Sequence, residues 1–272
     1  MSWNLYGGGL DGADESRRAL QTEILAELAP DILCLPECTR WDEEDERRLW
    51  ETADVLGLAP VSMVRSHVGD GRNFTALLYR PSRLRLIGRR TLGSGVFHHA
   101  LIRARLRPLE AGEESDFLAF GTHFSYVDGD ARLREARWLT DYGGVFPGVP
   151  PRAILLGDLN TPDRETDWSL IPRNLHARYR LCLPTGEFGG ADRRAVQVLL
   201  NSGWIDPEQQ TGEKRAATVG YFYPNEPVPW SLDYALLSGL KASAYRTYVT
   251  SAAKAASDHL PVVLDTEVGP NA

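Results

Sequence analysis

The sequence has few cysteines, few lysines and no long apolar run, and each shortage excludes a class of protein. Its 272 residues include three cysteines, Cys34, Cys38 and Cys182. An odd number without paired CxxC spacing argues against a disulfide framework or a structural zinc site. No stretch approaches the roughly 18 apolar residues of a membrane-spanning helix. The N-terminus lacks the basic and apolar regions of a secretory signal, so we expect a cytoplasmic protein that does not bind membranes.

The charge composition is acidic overall but strongly biased towards arginine. The formal net charge is −7, and all but three of the 30 basic residues are arginines. An acidic total argues against indiscriminate coating of nucleic acid, although it leaves room for a local basic groove. Arginine also makes bidentate contacts with phosphate that lysine cannot make. The composition therefore allows a phosphorylated ligand and leans slightly away from a generic nuclease.

Helical and strand patterns are mixed along the chain without a linker, which predicts one domain over residues 1–272. Residues 161–190 form a long irregular excursion, and excursions of this length are usually functional or mobile. Residues 267–272 form a tail. The apolar spacing predicts helices that follow residues 11–14, span 39–56, start at 128 and span 191–200. It predicts strands over residues 31–35, 73–79, 83–90, 97–106, 117–123, 153–156, 231–237, 245–250 and 260–265.

Polar side chains recur at one kind of position, the end of a short apolar strand. Loops on a rigid scaffold converge at such ends to form sites, so the recurrence is more informative than any single residue. Six strand ends carry these residues, which are Asn4, Glu37, His123, Asp158 with Asn160, Asp233, and Asp258 with His259. Since one residue separates Asp158 from Asn160, an extended backbone would point both to the same side.

Four segments in this set carry a family resemblance, and they lie at residues 30–37, 121–123, 156–160 and 257–261. In this order they resemble the motifs of the endonuclease/exonuclease/phosphatase superfamily. That group includes pancreatic-type deoxyribonucleases, abasic-site endonucleases, deadenylases, sphingomyelinases and inositol-polyphosphate phosphatases. The resemblance runs from Asn4 to Val262 and implies a four-layer α/β sandwich. In such a sandwich, two mixed β-sheets pack face to face with helices outside.

The resemblance implies a Mg²⁺- or Mn²⁺-dependent hydrolase that acts on phosphate ester bonds. Glu37 supplies a hard carboxylate that suits Mg²⁺, Asn4 an amide oxygen or hydrogen bond beside it, and Asp258 lies next to the metal. Members often have an acidic residue two positions after Asn4, where this chain has Tyr6. Any metal ligand that relatives supply there is therefore missing.

The resemblance also implies roles for five catalytic residues. Asp158 orients or deprotonates the attacking water, and Asn160 holds a phosphate oxygen. His259 donates to the phosphoryl group while Asp233 fixes its tautomer, as carboxylate–histidine pairs do. His123 donates to the phosphate from the other side. Without the resemblance, an Asx turn would account for Asp158 and Asn160, and a structural role would account for a lone histidine.

Several further residues are candidates for binding the part of the substrate beyond the phosphate group. Arg72 and Asn73 precede a strand and resemble a family loop near the scissile phosphate, but a solvated turn explains them nearly as well. Tyr126 follows His123 closely. Tyr223 and Trp230 lie in the aromatic, proline-rich loop at residues 221–230, which either stacks on a flat ring or packs at the surface. His67, His98, His99 and His176 match no motif, and we interpret them as structural or surface residues.

Three functions stay open at this point. The first is a phosphoesterase that cleaves a phosphodiester or phosphomonoester of a small ligand, with residues 161–190 and 221–230 flanking a pocket. The second is an endo- or exonuclease acting on DNA or RNA. The third is a catalytically silent binding module, against which the complete set of site residues argues. No obligate protein partner is evident from the sequence.

Overall fold

The structure, a computed structural model, describes residues 1–93 and 95–268. Of the tail expected at 267–272, residues 269–272 lie outside the described residues. The helices are α1 (Ser16–Leu28), α2 (Glu43–Leu56), α3 (Gly129–Arg137), α4 (His176–Tyr179), α5 (Arg194–Asn201), α6 (Glu208–Thr211) and α7 (Ser251–Ala256). The strands are β1 (Ile32–Leu35), β2 (Ala59–Arg65), β3 (Phe74–Tyr79), β4 (Leu84–Leu92), β5 (Ala100–Pro108), β6 (Phe117–His123), β7 (Ala153–Asp158), β8 (Arg180–Cys182), β9 (Phe188–Ala191), β10 (Asp233–Ser238), β11 (Ala242–Thr247) and β12 (Val262–Thr266).

The longer strands form two mixed sheets. The first has the order β1-β3-β2, and the N-terminal segment joins it to the pair β11-β12. Ser2 makes this junction, because it bridges Cys34 of β1 in parallel and Val262 of β12 in antiparallel fashion. The second sheet has the order β10-β7-β6-β5-β4, in which β6 and β7 run parallel and the other neighbours antiparallel.

Alternation along the buried strands sends successive side chains into different layers. In β1, Leu33 packs in the cluster that includes residues of α1 and α2, whereas Cys34 packs in the core between the sheets. In β6, Ala119 packs in that central core, whereas Phe120 packs with residues of α3 and α5. Helices therefore cover the outside of both sheets, and the predicted four-layer sandwich is confirmed.

Several expected elements differ from the structure at their ends, including the strand expected over 97–106, which begins at Ala100, and the helix expected over 191–200, which begins at Arg194. Strands β2, β8 and β9 were not expected. The helix expected over 39–56 begins at Glu43, because the backbone N–H of Cys38 bonds to the Phe74 carbonyl at 2.8 Å and keeps this stretch in a turn. The strand expected over 245–250 ends at Thr247, and Thr250 caps α7 instead. Strand β2 was missed because Pro60 disfavours a central strand, but β2 lies at a sheet edge, where proline is tolerated.

The excursion at residues 161–190 carries α4 and the β8–β9 hairpin. Its apolar side chains Leu175 and Tyr179 pack with Val228 and Trp230 of the aromatic loop. The two segments therefore form one packed wall. Among the described residues, no helix combines the length and apolar character needed to cross a bilayer.

Candidate active site

Three polar side chains lie in one row across the second sheet. His123 at the end of β6 pairs with Asp158 at the end of β7, and Asp158 pairs with Asp233 at the start of β10. Residues paired in this way across neighbouring strands present their side chains on the same face. All three are almost completely buried. The row therefore places one carboxylate between an imidazole and a second carboxylate.

His259 reaches this row from the segment that precedes β12 in the first sheet. Its Nδ1 lies 2.7 Å from Asp233 Oδ2, and its Nε2 lies 3.8 Å from Asp158 Oδ2. The indole N–H of Trp3 donates to the His259 carbonyl at 2.9 Å and so fixes the backbone. Burial lowers the pKa of His259, but Asp233 and Asp158 outweigh it and raise that pKa well above its usual value. The site therefore favours the protonated imidazole.

Asp158 is the carboxylate on which these contacts converge. Its Oδ2 accepts a hydrogen bond from Asn4 Nδ2 at 3.0 Å, and its Oδ1 accepts one from the backbone N–H of Asn160 at 2.8 Å. His123 Nε2 lies 3.6 Å from the same Oδ2. Burial, followed by the charge of Asp233, raises the pKa of Asp158 to about 7. A carboxylate with this pKa can accept a proton near neutral pH, as a general base does.

Glu37 and Asp258 form a second acidic pair at the site. Glu37 Oε1 accepts a hydrogen bond from Asn4 Nδ2 at 3.3 Å, and Glu37 Oε2 accepts one from the Gly7 N–H at 3.1 Å. Burial, followed by the charge of Asp258, raises the pKa of Glu37. Two hard carboxylates that repel each other suit a divalent cation such as Mg²⁺. The Asn4 amide oxygen, by contrast, already accepts from the Tyr6 N–H at 3.0 Å.

A different set of possible metal ligands lies deeper in the site. Asp158, Asp233 and His259 form the one group of three His, Cys, Asp or Glu residues, within the described ranges, whose ligand atoms all lie within 4.8 Å of one another. The His259–Asp233 contact already occupies the imidazole Nδ1, and Asn4 and Asn160 already donate to Asp158. Hydrogen bonding does not choose between the two sets, because Asn4 and Gly7 donate to both oxygens of Glu37 while Asp233 Oδ1 has no hydrogen-bond partner within the described residues. Glu37 and Asp258 differ from the deeper set in that both line the pocket.

The backbone adopts a costly conformation at three site residues. Tyr6, Glu37 and Asn160 have φ angles of 51°, 60° and 47°, in the left-handed region that non-glycine residues rarely occupy. Such residues cost on the order of 1–3 kcal/mol each and cluster at functional sites. At Asn160 this turn brings the backbone N–H to Asp158, while Nδ2 donates to the Phe124 carbonyl at 3.0 Å.

Comparison with known proteins agrees with this geometry. Residues 1–259 match the model of the Endonuclease/Exonuclease/phosphatase family. The chain belongs to this family. The match covers nearly the whole described chain and confirms the resemblance inferred from the strand-end motifs.

Solved structures of low sequence identity share the fold. A mannosyl-6-phosphatase of Bacteroides thetaiotaomicron has a TM-score of 0.67 at 16% identity, over 98% of each chain. A family protein of Bacteroides vulgatus has a TM-score of 0.69 at 14% identity, over 98% of this chain and 97% of that one. The catalytic domain of human Nocturnin, with a bound sulfate anion, has a TM-score of 0.63 at 17% identity, over 97% and 91%. No curated protein matches the chain.

In this family member, a pocket of about 350 Å³ is lined by Glu37, Asn160, Asp258 and His259. The buried Asp158, Asp233 and His123 are not among its lining residues. Part of its wall is aromatic, with ring centroids 5.4 Å apart for Tyr6 and Phe222 and 5.0 Å apart for Phe222 and Tyr223. Arg178 also lines the pocket, and its Cζ lies 5.7 Å from the centre of the Tyr126 ring. The wall thus offers flat apolar rings together with one guanidinium group.

The structure separates the three aromatic residues predicted to bind substrate. Tyr126 is 47% exposed and lines the pocket beside Arg178. Tyr223 lines it too, in the aromatic group around Phe222. Trp230 lines the pocket as well, but it is only 3% exposed, and its ring centroid lies 4.9 Å from that of Tyr179. Trp230 therefore supports the wall from behind more than it offers a surface to a ligand.

The predicted residues Arg72 and Asn73 lie outside the pocket lining, as far as the described residues define it. The Arg72 side chain is exposed, and its Nε lies 4.0 Å from an Asp70 carboxylate oxygen. Asn73 directly precedes β3, at the end of the first sheet where the chain turns after Glu37. Its buried Oδ1 has no hydrogen-bond partner. Their role in substrate binding stays a prediction.

Sequence reasoning missed His99, which belongs to this site. Its ring stacks on His123 with centroids 3.8 Å apart and planes 8° apart, and Ser66 Oγ lies 2.7 Å from its Nδ1. Burial, followed by the charge of His98, lowers the pKa of His99 to about 3, so the stacked ring is neutral. The available signal was its position, because His99 precedes β5, whose first residue pairs with His123.

Proposed function

We propose that this chain hydrolyses phosphate ester bonds with the help of a divalent metal ion and acts on a compact phosphorylated ligand. The observation that carries the proposal is that His259 lines one pocket together with Glu37 and Asp258, while the buried Asp158 and Asp233 lie next to His259. Membership of the family supports it. Solved neighbours that are named as a mannosyl-6-phosphatase and a 2′,3′-cyclic phosphatase support phosphate ester hydrolysis in general.

Glu37 and Asp258 are the residues that would hold Mg²⁺ or Mn²⁺, in line with the divalent-metal dependence typical of the family. When bound, the ion supplies positive charge to the phosphoryl oxygens. The contribution of Asn4 is to donate from one amide nitrogen to both Glu37 and Asp158. Asn4 thereby fixes the position of the metal-binding carboxylate relative to the proton-accepting one.

Proton transfer in this proposal rests on two residues. Asp158 orients the attacking water and accepts its proton, which its pKa of about 7 permits. His259 donates from Nε2 to a phosphoryl oxygen, and Asp233 holds the proton on Nδ1. His123 faces Asp158 from the other side and stabilises charge on the phosphate. Asn160 holds a further phosphate oxygen.

The preference for a compact ligand rests on the walls of the pocket. Its volume of about 350 Å³ falls in the range of small-molecule sites. The excursion and the aromatic loop pack against each other through Tyr179 and Trp230. The two segments therefore form one continuous wall of the pocket. A bounded pocket fits a phosphorylated metabolite better than an open groove that tracks a duplex.

A panel assay tests the function. Metal-stripped protein should turn over no ester in EDTA, and Mg²⁺ or Mn²⁺ should restore hydrolysis of small phosphomonoesters or a generic phosphodiester. Glu37→Gln should raise the metal concentration needed for half-maximal activity by about tenfold or more, because it removes a charged hard ligand. The exposed Glu23→Gln is the matched control and should leave that concentration unchanged.

Three results would contradict the proposal. Hydrolysis undiminished by excess EDTA would show that the reaction does not depend on a divalent metal ion. Turnover of plasmid DNA, single-stranded DNA or RNA without any action on small esters would favour the nuclease. No turnover of any ester in the presence of metal would favour a silent binding module.

A further inference from the structure

The outer face of strands β4 and β5 carries a grid of arginines, which we call the arginine face. Its members are Arg85, Arg90, Arg103, Arg105 and Arg107. In the register of the two strands, Arg85 lies opposite Arg107, Arg90 lies opposite Arg103, and Gly88 lies opposite Arg105. The alternate residues Ala104 and Leu106 pack in the core between the sheets, so the arginines point outward.

The arginine face has too few acidic partners to balance its charge. Arg105 and Arg107 share Asp116, at 2.5 Å each, and Glu113, at 3.9 and 3.4 Å. Within residues 1–93 and 95–268, no carboxylate lies at ion-pair distance from Arg85, Arg90 or Arg103. Five cations therefore face two carboxylates, on a protein whose formal net charge is −7.

This arrangement costs stability when nothing is bound. Like charges directly opposite each other on neighbouring strands are destabilising, and the face contains two such pairs. An anion that lies across the pairs relieves the repulsion. Guanidinium groups bind phosphate with two parallel hydrogen bonds, which makes phosphate a better match than a point anion.

The spacing of the arginine face indicates an extended polyanion. Arg103, Arg105 and Arg107 alternate along β5, so their Cα atoms are about 6.8 Å apart. This repeat is close to the separation of successive phosphates along an extended single strand. Arg103 also donates to the hydroxyl of the half-buried Tyr142 at 3.2 Å, which places one aromatic ring beside the arginine face. Aromatic rings beside a basic surface are typical of single-strand binding, because bases stack on them.

We propose that the arginine face binds the phosphate backbone of a single-stranded nucleic acid. The proposal is independent of the ester that the pocket hydrolyses. An acidic protein segment satisfies the charge, but it presents no flat bases to the ring of Tyr142. The face begins three residues from Ala100, the residue that pairs with His123, which places its near end about 10 Å along β5 from that pair.

The test compares two triple variants of the full chain. The first triple variant, which is the test variant, carries Arg85→Gln, Arg90→Gln and Arg103→Gln. These substitutions remove the three arginines that lack an acidic partner, so no carboxylate is left unpaired. Arg193→Gln, Lys214→Gln and Lys241→Gln remove the same charge from exposed positions elsewhere and serve as the control. Binding of a fluorescent twelve-residue oligothymidylate is measured against salt, with thermal midpoints as a check on folding.

The first triple variant should bind roughly a hundredfold more weakly at about 50 mM salt, and its plot of log affinity against log salt should be shallower by about 2. The control triple variant should lose only the small part of the affinity that comes from the net charge of the protein acting at long range. Replacing the same three arginines with lysine should keep the slope, because the charges remain. Tyr142→Ala should weaken binding about fivefold or more without changing the slope.

Several outcomes would overturn the proposal. One is wild-type protein that does not bind the oligonucleotide at low salt, and another is a control triple that loses as much affinity as the test triple. A polyglutamate peptide that binds as tightly as the oligonucleotide, with equal loss in the first triple variant, would assign the face to an acidic protein segment. Turnover of small esters should be the same in both triple variants, so failure of this proposal is distinguishable from failure of the proposed function.

Discussion

The two ends of the sandwich enclose cavities of similar volume but different chemistry. The candidate active site occupies about 350 Å³, and the cavity at the opposite end occupies about 390 Å³. At the far end most of the lining residues are apolar, and the charged residues Asp31 and Arg83 form an ion pair at the surface at 2.8 Å. At the active-site end, Asp158 and Asp233 are buried beside each other. Volume alone therefore does not identify the site, whereas a buried acidic group with a raised pKa, here Asp158, does.

The topology explains why the ends differ. Strands β1, β6 and β7 all finish at the active-site end, and β10 starts there, so the residues after three strands meet the first residue of a fourth. The Asp158 carboxylate is stabilised there by hydrogen bonds from Asn4 and Asn160. The far end offers a buried N-terminal amine that donates to the Ile32 carbonyl at 2.9 Å, but no row of carboxylates and imidazoles among the described residues.

The largest expected effect follows from removing the central groups of the active-site end. His259→Ala and Asp158→Ala should each lower kcat/KM by about 10²-fold or more, because each removes a proton-transfer or charge-stabilising group. Steady-state kinetics on the best small ester measures this. Arg83→Gln, which changes an exposed residue lining the far cavity, is the control and should stay near wild type. Equal losses of kcat/KM in all three variants would show that catalysis depends on both ends of the sandwich and not on the active-site end alone.

A smaller and pH-dependent effect is expected for Asp233→Asn. The raised pKa of His259 keeps its protonated form present to higher pH, so activity that needs this form falls only as the pH rises through that pKa. Since Asp233 is the strongest factor raising the pKa, Asp233→Asn should move the alkaline limb of the kcat/KM profile to lower pH. The loss at neutral pH should be about tenfold.

The double variant provides the control for this prediction. Asp233→Asn combined with His259→Ala should cost little more than His259→Ala alone, because both changes act on one imidazole. Multiplicative losses, or an alkaline limb that stays in place, would show that Asp233 does not act through His259.

The pocket wall predicts different outcomes for two residues that the sequence treated alike. Trp230→Ala removes a buried ring and should lower the free energy of unfolding by about 3–5 kcal/mol. Tyr223→Ala removes a ring that lines the pocket and should raise KM about fivefold with a small change in thermal midpoint. Denaturant unfolding and steady-state kinetics on both variants measure this. A Trp230→Ala protein of normal stability with a raised KM would contradict this prediction and show that Trp230 binds the ligand directly.

The sequence anticipated the parts of the site that follow from local pattern. Asp158, Asp233 and His123 were all placed by the ends of apolar runs, because strand length and alternation are local properties. His99 was not found, since its stacking on His123 depends on the pairing of β5 with β6. The burial of Trp230 depends on the excursion folding against it, which no short-range pattern encodes. The single-domain organisation of residues 1–272 stays a prediction.

The smallest expected effect concerns the far cavity and tests whether the two ends are independent. Ile154 lines that cavity and lies four residues before Asp158 on β7, about 14 Å along the strand. Ile154→Phe adds apolar volume to the cavity and should change the free energy of unfolding by about 1 kcal/mol in either direction, depending on how well the ring fits. The kcat/KM value should stay within about twofold of wild type, because the hydrogen bonds that hold Asp158 come from Asn4 and Asn160 and not from the far end. Calorimetry and kinetics on the same preparation decide the matter. A loss of tenfold or more in kcat/KM from a variant of normal stability would mean that β7 transmits the change in packing to Asp158, and the two ends would then be parts of one coupled unit.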